Sequence, residues 1–266
     1  VLTFGMVFVI VGIGFKLGAV PFHMWVPDVY EGAPTAITLF IAGAPKVAAL
    51  GLLYRILVDA LPALHVDWHQ ILTIICVLSM GIGNLVAIVQ SNIKRLLAYS
   101  SIAHIGYMLL GIIAATKAGY ASSLFYMITY TIMTLGAFGI LILLSQQGIE
   151  VEQISDLKGS NNRNPWLAFL MLLIMFSMAG IPPLVGFMAK VAVLEAVIRV
   201  HMVWLATLAL IFAIVGAYYY IRVVKVMYFE QSDAEQAGFV TTRGGAVMAS
   251  INGLAVLALG LFPGAL

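Results

Sequence analysis

Hydrophobic residues in this chain fall in long unbroken blocks rather than in alternation. Eight blocks, at positions 1–20, 36–57, 71–89, 96–115, 121–144, 166–199, 202–221 and 246–262, approach or exceed the roughly 20 helical residues that cross a bilayer core. The third, ILTIICVLSMGIGNLVAIV, carries no charge. Continuous blocks do not fit a transmembrane barrel, whose strands alternate between two faces. Inside hydrocarbon, only helices then satisfy their own backbone. The pattern predicts an all-α polytopic transmembrane helix bundle. Polar stretches at 146–165 and 230–245 are too short for a soluble domain and read as loops. Residues 1–266 are therefore expected to form a single transmembrane domain.

Two blocks are interrupted. The first ends in LGAVPFHMWVP, and the sixth contains AGIPPLVGF. Proline removes a backbone donor and clashes with the preceding turn, so both are expected to be discontinuous helices. Irregular backbone at membrane depth is tolerated where protein or a water-filled cavity covers it. A broken span followed by another long span occurs twice, and the two broken spans run in opposite directions. That is the signature of an inverted-repeat architecture. One copy, spans three to seven, is complete, and the other lacks its first three helices. Proline and glycine placed only for helix packing would be the plainer explanation. Val1 opens inside an apolar run without the basic flank of a signal peptide. The chain is thus expected to be a piece of a longer protein whose upstream part is missing.

Alternating spans sort the charged loops by side. Lys94, Arg95, Lys158, Arg163, Arg222, Lys225 and Arg243 fall on one side, and Arg55, Lys117 and Arg199 on the other. The positive-inside rule makes the first side cytoplasmic.

Composition agrees with this reading. Of 266 residues, 63% are hydrophobic and 9% charged, against about 45–50% and about 25% in soluble domains. The same figures exclude intrinsic disorder. A net charge of +2 without a basic cluster excludes nucleic-acid binding. The single cysteine, Cys76, excludes an intrachain disulfide framework and any multi-cysteine metal or iron–sulfur site.

Charges inside the spans carry the candidate chemistry. Lys16 follows fifteen uncharged residues, Lys46 lies mid-span in FIAGAPKVAALGLL, and Lys190 lies just after the second break. A charge at a helix centre costs about 2.5–3.5 kcal/mol on insertion scales, so three cost roughly 8–10 kcal/mol if additive. Such lysines should face the interior, water or partner groups. Snorkelling to the interface is the alternative, least suited to Lys46. Lysine suits proton work, because desolvation disfavours its charged form and a nearby carboxylate restores it. Glu195 stands five residues beyond Lys190, too far round the helix for a sure pair. The first two spans hold no carboxylate at all, so an acidic partner of Lys16 lies elsewhere. His104 adds a group that titrates near neutrality unaided. Ser100, Ser101 and Tyr107 can share its helix face. A proton relay and a satisfied core histidine both remain open for His104. Lys94, beside Arg95, reads equally as an interfacial anchor.

Other constellations are weaker. HVDWH, with His65, Asp67 and His69, reads as a solvated loop rather than a metal site. GIGFKLG reads as close helix packing, and the tyrosines and methionines as scattered packing and interface residues. No Ser-His-Asp, Cys-His or redox-centre ligand set is present.

Four segments in order, FKLGAVPFHMWVPDVYEGAPT, GAPKVAALGLL, QSNIKRLLAYSSIAHIGYMLLG and SMAGIPPLVGFMAKVAVLEA, resemble the antiporter-like membrane subunits of respiratory complex I. Subunits of the related Mrp cation/proton antiporters share much of this, and DVYEGAPT and GAYYYIRVVKVMYF separate siblings. The resemblance implies a pumping role for Lys16, a link between half-channels at Lys46, a central axis at Lys94 and His104, and a place for Lys190 in the second half-channel. The family has about fourteen helices, and this chain matches the last eight. A family glutamate that partners the lysine at Lys16's position lies upstream of Val1. The resemblance further implies a translocase subunit of NADH:quinone oxidoreductase in the bacterial inner membrane, coupled to quinone reduction elsewhere. No redox cofactor is expected in this chain; FMN and iron–sulfur clusters would sit in other subunits. Expected partners are other membrane subunits of the complex, including neighbouring antiporter-like ones, and the lipid bilayer. The alternative is an Mrp-type cation/proton antiporter subunit.

Overall fold

The computed structural model describes residues 2–145, 150–231, 242–262 and 264. Parts of both polar stretches, 146–149 and 232–241, lie outside the described residues, as does Val1. Eleven α-helices follow one another among the described residues: α1 (Leu2–Leu17), α2 (Trp25–Gly32), α3 (Thr35–Leu53), α4 (His65–Ile88), α5 (Ile93–Ile113), α6 (Lys117–Leu144), α7 (Ser160–Arg163), α8 (Pro165–Ala179), α9 (Val185–Arg199), α10 (Val203–Phe229) and α11 (Arg243–Leu261). A π-helical segment, Tyr54–Ala60, prolongs α3. Six of the resulting rods are long and apolar enough to cross a membrane.

The two remaining crossings are the broken ones. α1 and α8 stop after 16 and 15 residues. Each is followed by a glycine of positive φ, Gly18 at 75° and Gly180 at 88°, and by a proline three residues on, Pro21 and Pro183. Left-handed backbone is what glycine allows without a Cβ clash, and it turns the chain out of the helix. At Gly18 the amide of Ala19 still reaches the Gly14 carbonyl at 2.8 Å, and Val20 N–H donates to Ser79 Oγ on α4 at 3.0 Å. Gly18, Ala19 and Val20 are thus buried against protein, while Pro21 and Met24 of the same turn are exposed.

Loops that join spans on the basic side are tied together. Arg95 on α5 pairs with Asp28 at 2.8 Å and Glu31 at 2.7 Å on α2. Arg222 near the end of α10 donates to the Ile88 and Gln90 carbonyls that close α4. Lys158 pairs with Glu230 at 3.4 Å, and Asn92 bridges to Gln153. α1–α2 runs towards this face and α8–α9 away from it, so the two broken spans are antiparallel.

Two expectations are corrected. HVDWH is not a loop: α4 begins at His65, with Asp67 in its first turn, where a carboxylate favours the positive end of the helix dipole. The eleven tyrosines are not simply scattered, since several gather at the centre of the bundle.

α5 lies at that centre. Only Arg95 and Tyr99 of its residues are not buried. α4 packs against it at backbone distance. A Cβ at Gly83 would stand 2.6 Å from the Ala103 amide nitrogen, and one at Gly106 would stand 2.8 Å from the Cys76 carbonyl oxygen. Small residues that let helix backbones meet are the usual device of membrane bundles.

Candidate functional site

Three of the titratable residues singled out above meet near mid-bundle. Lys46, on α3, is 1% exposed. Its ammonium donates to Ser101 Oγ on α5 at 2.6 Å and lies 3.5 Å from the Tyr130 hydroxyl on α6. It also lies 5.5 and 5.4 Å from the ring centres of Tyr30 and Tyr130, in reach of a cation–π attraction. Pro45, just before it, deprives α3 of one backbone bond at that level.

His104 sits one turn along α5 from Ser101. Its Nδ1 is 2.7 Å from the Tyr126 hydroxyl and its Nε2 is 3.0 Å from the Tyr220 hydroxyl. Tyr220 in turn is hydrogen-bonded to Ser100. Tyr130 and Tyr107 flank the imidazole with ring centres 5.2 and 6.3 Å away. A hydroxyl both donates and accepts, so either tautomer of the ring, and the doubly protonated ring, finds partners here.

Lys190, on α9, folds back over the second break. It donates to the Met178 and Ala179 carbonyls at 3.0 and 2.8 Å, the open carbonyl end of α8. That end carries the partial negative charge of the helix dipole and suits an ammonium. The same nitrogen lies 5.2 Å from the ring centre of Tyr107. Glu195 is not its partner, being held by Arg199 at 2.6 Å. Among the described residues neither Lys46 nor Lys190 has a carboxylate in hydrogen-bond reach; hydroxyls, carbonyls and aromatic faces solvate them instead.

Lys94 lies apart, at the basic end of α5, and is 2% exposed. It pairs with Glu150 at 2.9 Å and donates to the Ala33 carbonyl at 3.1 Å. Burial pushes the Glu150 carboxyl up, but the Thr35 amide, the Thr35 hydroxyl and the Lys94 ammonium outweigh it and hold it down at about 2. Lys16 is not brought into the cluster. It is exposed on α1, with no hydrogen bond or ion pair among the described residues.

Several residues at this site escaped the sequence reading. Tyr126, Tyr130 and Tyr220 join Tyr107, already placed on the helix face of His104, around its ring, and Tyr219 beside Tyr220 donates to Asn84 at 3.0 Å. The available signal was their depth: Tyr126 and Tyr130 lie one helical turn apart midway along α6, far from the interface where tyrosine is at home. Glu150 was hidden in a stretch read only as a loop.

Chemically, the row runs lysine, hydroxyl, imidazole, hydroxyl, aromatic face, lysine. The hydroxyls and the imidazole can each give and take a proton, but the row has two gaps: the Ser101 and Tyr130 hydroxyls that meet Lys46 are not those of Tyr126 and Tyr220 that meet His104, and the Tyr107 ring stands before Lys190.

A family described as NADH:quinone oxidoreductase/Mrp antiporter, transmembrane, matches residues 1–216. A Coxiella burnetii protein named NADH-quinone oxidoreductase subunit N is 62% identical over 264 residues, covering 99% of this chain and 55% of that protein. One of the same name from Thioalkalivibrio sulfidiphilus is 58% identical over 265 residues, covering 100% and 55%. The chain thus spans about half the length of the curated relatives it matches. Among solved structures, respiratory complex I from Thermus thermophilus with bound aureothin has a chain with a TM-score of 0.85 and 35% identity, covering 98% of this chain and 57% of that one. The Mrp complex from Dietzia shares the fold, with a TM-score of 0.84 at 20% identity, covering 97% and 56%.

Proposed function

Since this chain belongs to the NADH:quinone oxidoreductase/Mrp antiporter transmembrane family, we propose that it is part of a proton-translocating membrane subunit of an NADH:quinone oxidoreductase in a bacterial inner membrane. The observation that carries the reading is His104, hydrogen-bonded at both ring nitrogens to tyrosine hydroxyls and standing between Lys46 and Lys190.

In this reading Lys46 hands a proton to the Ser101 or Tyr130 hydroxyl, and water carries it on to a tyrosine hydroxyl bonded to His104. The imidazole accepts at one nitrogen and releases from the other, each through a tyrosine hydroxyl. Lys190 receives it across the Tyr107 ring by way of water. Neither lysine is locked to a carboxylate, so each can load and unload as its surroundings change. Lys16 and Lys94 extend the row at either side, Lys16 towards protein outside this chain and Lys94 towards the basic face. The chain forms one membrane-embedded unit and holds no redox centre. Flavin and iron–sulfur centres belong to other subunits of the complex, and quinone reduction there changes the electrostatics along the row.

The test is alanine at both Lys46 and Lys190 in the full-length protein, with NADH-driven proton uptake measured in inverted membrane vesicles. Uptake intact in the double variant overturns the reading. The family also includes Mrp-type antiporters. Sodium- or potassium-driven proton exchange without an electron donor would assign the chain to that class. Relatives at 53–62% identity that carry the oxidoreductase name favour the first reading.

A further inference from the structure

α3 carries Lys46 but begins without a cap of its own. Its N-cap residue is Pro34, which has no side-chain acceptor. The missing acceptor arrives from the segment between α6 and α8, more than a hundred positions away. Glu150 Oε1 accepts from the Thr35 amide at 2.9 Å and Oε2 accepts from the Thr35 hydroxyl at 2.7 Å. The same Oε2 accepts from Lys94 Nζ on α5 at 2.9 Å, and Lys94 also donates to Ala33, two residues before α3. A carboxylate at a helix start satisfies an orphan amide and meets the positive end of the dipole. Here that carboxylate is also the counter-ion of a lysine that is fully buried.

Among the described residues no other charged side chain, Glu152 included, is hydrogen-bonded to or ion-paired with Lys94 or Glu150. On α2, Asp28 and Glu31 are taken by Arg95, and Glu31 also accepts from Asn92 at 3.2 Å. In the following turn, Asp156 accepts from the Glu152 and Gln153 amides. Lys158 is taken by Glu230 from the end of α10. α6 ends on uncharged residues, and the first turn of α3 holds no titratable side chain.

We propose that Glu150 is a positioning residue that clamps the start of α3 to Lys94, so that the seating of α3, and with it Lys46 three turns along, depends on the Lys94–Glu150 ion pair. The proposal rests on the proton-translocating reading above and adds Glu150 to it. With Lys94 charged, the three donors hold one carboxylate and α3 is docked. Without the ammonium, as in K94Q, the charge-assisted bond is lost and the cap loosens. The clamp thereby joins the basic face, where Glu150 is 32% exposed, to the buried lysine at mid-bundle.

The experiment uses the full-length protein in the assembled complex, with variants E150Q, E150D and K94Q. Hydrogen–deuterium exchange is followed at the peptide spanning the start of α3, and NADH-driven proton uptake is measured alongside; both are normalised to assembled complex by immunoblot. Expected are faster exchange at the Thr35 amide in E150Q and equally in K94Q, with no further rise in the double variant. Proton uptake should fall about fivefold or more in E150Q, the lower end of coupling between sites, while E150D keeps most of it. A structural cap acting through Thr35 alone would leave K94Q exchange at the parent level, and that result overturns the proposal. Uptake in E150Q within about twofold of the parent overturns it as well. If K46A and K190A abolish uptake while either of these results is found, the clamp fails and the translocation reading stands. If K46A/K190A pumps normally, the translocation reading fails first.

Discussion

Replacing Gly180 with alanine displaces Lys190 without altering any ionisable group. Gly180 sits at φ 88°, and a Cβ there would meet Lys190 Cδ at 2.9 Å, Nζ at 3.2 Å and Cε at 3.4 Å. Left-handed backbone in a non-glycine residue costs about 1–2 kcal/mol. The lysine side chain is flexible and moves aside at little steric cost, but in doing so its ammonium leaves the Met178 and Ala179 carbonyls. Each hydrogen bond from a charged group contributes about 1.5–3 kcal/mol. Losing even one depopulates the seated position about tenfold or more, since about 1.4 kcal/mol is a factor of ten. G180A is therefore expected to lower NADH-driven proton uptake about tenfold or more per assembled complex, approaching K190A. G139A is the control: its Cβ meets nothing within 4 Å, and it should pump like the parent. G180A vesicles that assemble and pump at the parent rate would show that the seat on α8 is irrelevant to Lys190.

Tyr220→Phe keeps the ring but removes the hydroxyl that serves both His104 and Ser100; it should slow proton uptake about tenfold, consistent with an unsatisfied buried group costing about 1–3 kcal/mol, and an unchanged rate would take Tyr220 out of the row. Gly83→Ala forces α4 off α5 at the Ala103 backbone and should destabilise the assembly by about 1–3 kcal/mol, read as a lower melting temperature of the purified complex; an unchanged melting temperature would mean that the contact is loose. The Glu150 carboxyl, held down at about 2, contributes stability that is full above the ordinary carboxylate range near 4.3 and is lost as pH falls through about 2. Infrared titration of E150Q against the parent should show no carboxylate protonating at this residue above pH about 4, and a difference band there would contradict the clamp's charge state.

The sequence revealed the spans and breaks because lipid leaves few choices: a block that cannot be wet must be helix, and glycine beside proline must end it. The ends were less legible. α4 starts at His65 rather than near Ile71 because HVDWH is polar yet continues the helix into the interface, and α10 runs on past Ile221 to Phe229 for the same reason. Lys46, His104 and Lys190 stood out because a titratable group in hydrocarbon is costly. Their partners did not. Tyr126, Tyr130 and Tyr220 come from α6 and α10, and only folding brings them to α5. Nothing local to Glu150 says that it reaches Thr35 and Lys94.

The near-total enclosure of α5 has a consequence for how the chain is made. Its neighbours include α9, and α10 brings Tyr220 to His104, yet both are synthesised after it. A nascent chain that has just released α5 holds Lys94, Arg95 and His104 beside α4 and α2, with one flank still open to lipid. His104 then lacks the Tyr126 and Tyr220 hydroxyls, and Ser100 lacks that of Tyr220. The packing of this helix is thus completed only when the last third of the chain arrives.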